Sequence, residues 1–183
     1  TYENRLNKKP DSVLLIEWDK LREMMWSQNC TIAPWGFVKA VQKVSALKNI
    51  DLFTGYNQND IQEYLLFLID AFHNSISREV EMTITGNVKN DRDIMAKECY
   101  KMMTNMFSKD YSEIVKLFYG IHVSVIQDVN TGEHLSVRPE PFFVLSVPLP
   151  EGKRVLTINQ CLDDYCKLER MEGDNAWYNE DKD

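Results

Sequence analysis

The sequence predicts an α+β fold in which helices come first and strands follow, and three observations carry that prediction. Up to about residue 110 the apolar residues recur at spacings of three and four, the repeat of one helical face. From about residue 111 the pattern shortens toward alternation, and Asp128-Val129-Asn130-Thr131-Gly132 supplies a hairpin turn. Pro139, Pro141, Pro148 and Pro150 then fence an apolar run, a place proline takes at the margins of strands. The expected organisation is a helical region over 1–110 and a β-rich region over 111–183.

Residues 1 to 12 are polar, and Ser12 is placed to cap a helix over about 13–27 with Leu14, Leu15, Trp18, Leu21, Met24 and Met25 on its apolar face. Pro34 fits the first turn of a second helix, about 35–47, which carries Phe37, Val38, Val41, Val44 and Leu47. After a Phe53-x-Gly55 turn comes the strongest pattern in the chain, Gln58 to His73, with Ile61, Leu65, Leu68, Phe72 and Ile76 on a single face. Asn59, followed three residues later by Gln62, reads as an N-cap with its capping-box partner. Val80 to Gly86 alternates like a short strand or a loop edge. Asp91 or Asp93 opens a further helix to about 107, whose four methionines, on and near a face with Ile94, Ala96 and Cys99, read as flexible core filler rather than a binding groove. Ser112 to Gln127 and Phe142 to Leu149 read as the two strands. Thr157 opens a short helix through Ile158, Cys161, Leu162 and Tyr165, and the tail from Gly173 is polar and acidic.

At 183 residues the chain is long enough to bury a core of ordinary size. Its composition, 44% hydrophobic and 27% charged, is that of a globular protein. A net charge of −7 argues against a general nucleic-acid binder, whose affinity rests on neutralising phosphates. No apolar run approaches the roughly 18 residues of a membrane span and no signal-peptide pattern stands at the N-terminus, so no membrane partner is expected. Cys30, Cys99, Cys161 and Cys166 form no Cys-x-x-Cys pair, and reduced thiols in an intracellular, cytoplasmic or nuclear setting are expected.

Asp60 and Glu63 fall one turn apart at the start of the central helix, where the dipole favours negative charge. Two roles are open to them from spacing alone. They can stabilise the helix start, or they can receive an arginine or a backbone amide of a partner.

The wording of this stretch, Gln58-Asn59-Asp60-Ile61-Gln62-Glu63-Tyr64 and then a Leu-rich run to Leu68-Ile69-Asp70-x-x-His73, resembles the Gln-Gln-Asp-Ala-Gln-Glu-Phe signature of ubiquitin-specific proteases. Four further stretches resemble that family in the same order. They are Leu21 to Trp26 with Pro34-x-x-Phe37; Phe118-x-Gly120-x-x-x-Ser124-x-Ile126; Glu140 to Leu149; and Thr157 to Tyr165 with Asn175-x-Trp177-Tyr178. The resemblance covers roughly residues 13 to 182. It implies a papain-like catalytic domain of thumb, palm and fingers, with 1–110 supplying helical thumb and 111–183 supplying antiparallel β fingers. It implies ubiquitin or a ubiquitin-like protein as partner, Asp60 and Glu63 facing the ubiquitin tail, and Gln62 propping the helix start.

Two departures from the family pattern bear on chemistry. Where the family often carries two zinc-binding Cys-x-x-Cys pairs, this chain has Asp128 and Thr131, then Asn179 and Lys182. Structural zinc wants four thiolate or imidazole ligands, so no metal and no cofactor are expected. The Gly-Asn-Thr-Cys-Tyr box of the nucleophile and the Gly-His-Tyr box of the base are both missing from this stretch. Cys30 lies between helices rather than at a helix start, and His73, His122 and His134 lack the family's surroundings, so no catalytic residue is expected here. The expectation is part of a deubiquitinating thiol isopeptidase, inactive alone and completed by the remaining parts of the catalytic domain. The alternative is a catalytically dead ubiquitin-binding or scaffold module.

Overall fold

A computed structural model describes residues 6–27, 31–150, 152 and 155–178. Among these the fold is α+β, with six α-helices and one two-stranded antiparallel sheet. The helices are α1 (Ser12–Ser27), α2 (Trp35–Leu47), α3 (Ile61–Ile76), α4 (Asp91–Phe107), α5 (Glu113–Phe118) and α6 (Ile158–Tyr165). The strands are β1 (Gly120–Gln127) and β2 (His134–Phe142). The chain forms two compact units, residues 1–143 and 144–183. No helix among the described residues is long and apolar enough to cross a membrane.

In the first unit α1, α2 and α3 enclose the core. Leu14 and Val44 are fully buried, and Phe37, Val41, Phe53, Phe67, Ala71 and Phe72 close around them. Trp18 lies 5.6 Å from the Phe37 ring and 6.0 Å from Phe72, while Phe53 lies 5.1 Å from Phe67 and edge-on to Tyr64 at 5.5 Å. These separations are the range in which ring quadrupoles attract beyond the area buried.

The buried stripe of α3 differs from the expected one. Phe67, Ala71, Phe72 and Ser75 face inward with Tyr64 and Leu68 at their margin, whereas Ile61 is 68% exposed and Leu65 44%. Leu68 and Phe72 belong to both readings. The rotation follows from the aromatic platform of Phe53, which takes Tyr64 and Phe67, and from the small Ala71 and Ser75, which sit at no exposure on the same face. Ser75 satisfies its own buried hydroxyl by donating to Ala71 O at 2.7 Å.

The C-terminal end of α3 leaves carbonyls without intrahelical donors, as every helix end does. Asn7 answers them. Its side-chain amide donates to Asn74 O and Ser77 O, both at 2.9 Å, and its backbone N–H donates to Ser75 O at 2.7 Å. Lys48, just past α2, bridges Asp11 and Asp70 at 2.6 Å each and so joins the lead-in to α1, the end of α2 and the side of α3.

Beyond α3, residues 80–86 form a loop edge, not a strand; Val80 N–H donates to Ser108 O at 2.8 Å, and an isolated antiparallel bridge joins Arg78 to Tyr111. Arg78 reinforces that bridge with a two-pronged contact to Glu113 at 3.0 and 2.8 Å and lies over the Tyr111 ring. α4 opens at Asp91 and is capped by Asn90: Asn90 accepts from Asp93 N–H at 3.0 Å, and Asp93 accepts from Lys89 N–H at 2.8 Å. Of the α4 methionines Met106 is 52% exposed and so is not core filler, while Met95, Met102 and Met103 are half-buried beside Phe107, the helix's one buried residue.

Residues 113–118 form α5 rather than strand, so Ile114 and Leu117 are helical and β1 begins only at Gly120. The second strand is 134–142, not 142–149. The turn at 128–132 pairs β1 with the residues immediately after it, in a register running from Gly120 opposite Phe142 to Gln127 opposite His134. Pro139 and Pro141 therefore stand inside β2. Two residues apart, they share one backbone phase, so both missing N–H groups fall on the same side of a strand that has an open edge. At Gly120 a Cβ would meet the Phe142 ring at 2.5 Å, so that cross-strand pair requires glycine.

In the second unit α6 begins with a complete capping box. Thr157 Oγ1 accepts from Gln160 N–H at 3.3 Å and Gln160 Oε1 accepts from Thr157 N–H at 3.1 Å.

Candidate functional site

Asp60, Gln62 and Glu63 come together at the N-terminus of α3, and all three are exposed. The N-cap is Asp60 rather than Asn59. Asp60 has extended backbone angles, and its Oδ1 accepts from Gln62 N–H at 2.7 Å and Glu63 N–H at 3.2 Å. Asn59 instead donates its side-chain amide to Asn57 O at 3.0 Å, within the turn. Aspartate at an N-cap satisfies two orphan amides and places its charge against the positive helix end. One oxygen of Asp60 is thus committed to the helix, which fixes where the other points. Glu63 lies in the first turn, and among the described residues no cation lies within ion-pair distance of either carboxylate.

An open groove of ≈ 250 Å³ borders Asp60, walled by Val38, Val41, Phe53 and Tyr64 with Gln42 and Gly55 at its rim. Burial pushes the Tyr64 phenol above its ordinary value, so this hydroxyl stays neutral through physiological pH. Gln42 donates to Gly55 O at 3.3 Å and pins the turn that forms one bank. Sequence reasoning missed this groove, whose walls come from α2, the short turn at Asp51–Phe53 and α3. The Phe53-x-Gly55 turn was its one local signal.

No thiol–imidazole hydrogen bond is present among the described residues, and Cys30 lies outside them. Burial, the leading cause, pushes the Cys99 thiol up, away from a nucleophile's range. His122 sits 3.1 Å from Glu140 across the hairpin, opposite it in register. His73 lies 2.8 Å from Ser112 Oγ through Nδ1 and 3.4 Å from Asp110 through Nε2. A serine, a histidine and an aspartate thus meet, but Ser112 has no exposed surface and no substrate reaches it. The cluster clasps the end of α3 to the start of α5. No group of three or more His, Cys, Asp or Glu side chains converges as a metal site among the described residues.

Comparison with known proteins matches residues 1–170 to the family described as ubiquitin carboxyl-terminal hydrolase. The chain is 30% identical over 169 residues to ubiquitin carboxyl-terminal hydrolase Usp2 of Drosophila melanogaster, covering 90% of this chain and 17% of that protein. It is 29% identical over 167 residues to ubiquitin carboxyl-terminal hydrolase 2 of Homo sapiens, covering 89% of this chain and 26% of that protein. It is 28% identical over 166 residues to the Gallus gallus protein of the same name, covering 89% of this chain and 45% of that protein. The chain thus spans less than half the length of these relatives. The family match runs through the helical core, the α3 N-terminus and the β-hairpin alike, and the chain belongs to the ubiquitin carboxyl-terminal hydrolase family, the ubiquitin-specific proteases.

Proposed function

We propose that this chain supplies the thumb (1–110) and part of the fingers (111–183) of a cysteine-type deubiquitinase. In this reading Asp60 and Glu63 hold the basic C-terminal tail of ubiquitin, and Gln62 props the helix start. The observation that carries it is the Asp60 cap, in which a carboxylate is held by two backbone amides at the exposed start of a well-packed helix. A carboxylate fixed in this way has already lost the freedom that an arginine partner would otherwise have to restrain. Its charge-assisted contact with a guanidinium is among the stronger polar interactions available.

The nucleophilic cysteine and the histidine base belong, in this proposal, to the remaining parts of the catalytic domain. The thiolate attacks the isopeptide carbonyl, the lysine amine leaves with a proton from the imidazolium, and water releases ubiquitin from the acyl-enzyme. This stretch by itself contributes recognition and no chemistry.

Titration of the protein with ubiquitin, and with ubiquitin lacking its C-terminal tail, tests the reading. Asp60→Asn keeps a good N-cap while removing the charge, and Glu63→Gln removes its charge in mid-turn. Each is expected to weaken binding of intact ubiquitin on the order of tenfold, more steeply at low salt, and to leave the tail-less form unaffected. Unchanged affinity in both variants would remove these carboxylates from the interface.

A further inference from the structure

Family members often hold a structural zinc through two Cys-x-x-Cys pairs, and the aligned positions here offer a carboxylate (Asp128), a hydroxyl (Thr131), an amide (Asn179) and an ammonium (Lys182). That set does not fit zinc, which wants four thiolate or imidazole donors, and a lysine cation repels any metal. Asn179 and Lys182 lie outside the described residues; Asp128 and Thr131 lie at the tip of the β1–β2 hairpin. The question is what holds that tip.

Asp128 does most of it. Its Oδ1 accepts from Asn130 N–H at 2.8 Å and from Thr131 N–H at 3.0 Å, so this oxygen is already engaged by the backbone. Its carbonyl accepts from Gly132 N–H at 2.9 Å, and its own N–H donates to Glu133 O at 2.9 Å. Thr131 Oγ1 accepts from Glu133 N–H at 3.3 Å, and Gln127 Nε2 donates to Gly132 O at 2.7 Å. Gly132 turns the chain with φ +73°, a conformation open to glycine at little cost. From 128 to 133 every backbone amide except that of Val129 is therefore satisfied within the tip. A metal knuckle draws its turn together through ligands converging on one ion. Here a single carboxylate gathers the turn instead.

We infer that Asp128 locks the fingers hairpin in place of a metal knuckle, so that β1 and β2 keep their pairing with no metal bound. The substitution of cysteine by aspartate and threonine is then a replacement of one clamp by another, not simply a loss. This inference is independent of whether Asp60 and Glu63 contact ubiquitin.

The test combines metal analysis with amide exchange on the full protein. Purified after growth with added zinc, it is expected to carry no stoichiometric metal, and a chelator is expected to leave its Tm unchanged. Asp128→Ala is expected to speed exchange at the Asn130 and Thr131 amides on the order of tenfold or more, while Asp128→Asn, whose side-chain oxygen still accepts, stays near wild type. One equivalent of bound zinc with a chelator-dependent fall in Tm would overturn the inference. So would Asp128→Ala with unchanged exchange at those two amides. Should Asp128→Ala fail to fold, the metal analysis and Asp128→Asn still decide.

Discussion

Replacing Lys48 with methionine is the perturbation that bears most directly on how the helical unit is held together. Lys48 Nζ lies 2.6 Å from Asp11 and 2.6 Å from Asp70, but the two arms are unequal. The Asp11 side chain is 8% exposed and the Asp70 side chain 59% exposed. An exposed ion pair contributes about 0–1 kcal/mol, whereas stranding one partner of a buried pair costs roughly 3–5 kcal/mol. Lys48 is itself 23% exposed, so water partly compensates Asp11 in the variant and the expected loss is about 2–3 kcal/mol, dominated by the Asp11 arm. At this chain length that corresponds to a fall in Tm of roughly 4–12 °C. Asp70→Asn is expected to cost less than about 1 kcal/mol. The pH dependence has a definite sign. Burial alone would lower the Lys48 pKa, but hydrogen bonds and charge from Asp11 and Asp70 outweigh it and hold the ammonium above its ordinary 10.5. A group raised on folding contributes stability that is complete below its ordinary value and is lost as pH rises through the folded-state value. Urea denaturation should therefore show a constant gap between wild type and Lys48→Met up to about pH 10, closing only in more alkaline solution. A gap below about 0.5 kcal/mol at pH 8, or equal effects of Lys48→Met and Asp70→Asn, would refute the assignment of the Asp11 arm as dominant.

The acid side belongs to Asp110. The Ser77 hydroxyl, acting against burial and joined by His73, holds the Asp110 carboxyl below its ordinary 3.8, so its contribution is present above that value and lost as pH falls through the lower folded-state one. Stability curves of wild type and Asp110→Asn should converge below about pH 4, and parallel curves there would remove Asp110 from the acid limb. The phase of α3 is tested by a pair of truncations. Phe67→Ala, at 5% exposure and 5.1 Å from the Phe53 ring, should cost about 3–5 kcal/mol in chemical denaturation, whereas Leu65→Ala, 44% exposed, should cost less than about 1 kcal/mol; the reverse order would restore the stripe read from the sequence.

What the sequence made legible was mostly local. The bounds of α2, the opening of α6 at Thr157 and the turn at 128–132 each depend on residues within a few positions of one another, and each stands where it was expected. The family itself was legible from five short motifs in order, and the match over 1–170 shows it. Features that depend on distant partners were not legible. Alternation at 80–86 left a strand and a loop edge both open, because a strand exists only where another pairs along it, and the nearby pairing is a lone bridge between Arg78 and Tyr111. The stripe on α3 was misplaced at its N-terminal half, because Leu65 and Phe67 are equally apolar and only Phe53, brought in from another turn, distinguishes them. Asn59 and Asp60 are both good caps by type. Which one starts the helix is set by backbone angles that composition does not record.

The placement of the carboxylates follows from this packing. A binding group serves best when the element carrying it cannot drift. α3 is held through its middle by Phe67, Ala71 and Phe72 in the core. Its side is held by Lys48 through Asp70. At its C-terminal end Asn7 takes the open carbonyls and His73 meets the buried Ser112. At the close of its first turn Tyr64 packs edge-on against Phe53 at 5.5 Å. The first turn is left with Asp60 oriented by its own cap and Glu63 exposed beside it. Ile61 remains 68% exposed beside the cap. That exposure is what a partner seated on the helix start would bury. The same turn therefore offers both charge and apolar surface, at a position the rest of the unit keeps fixed.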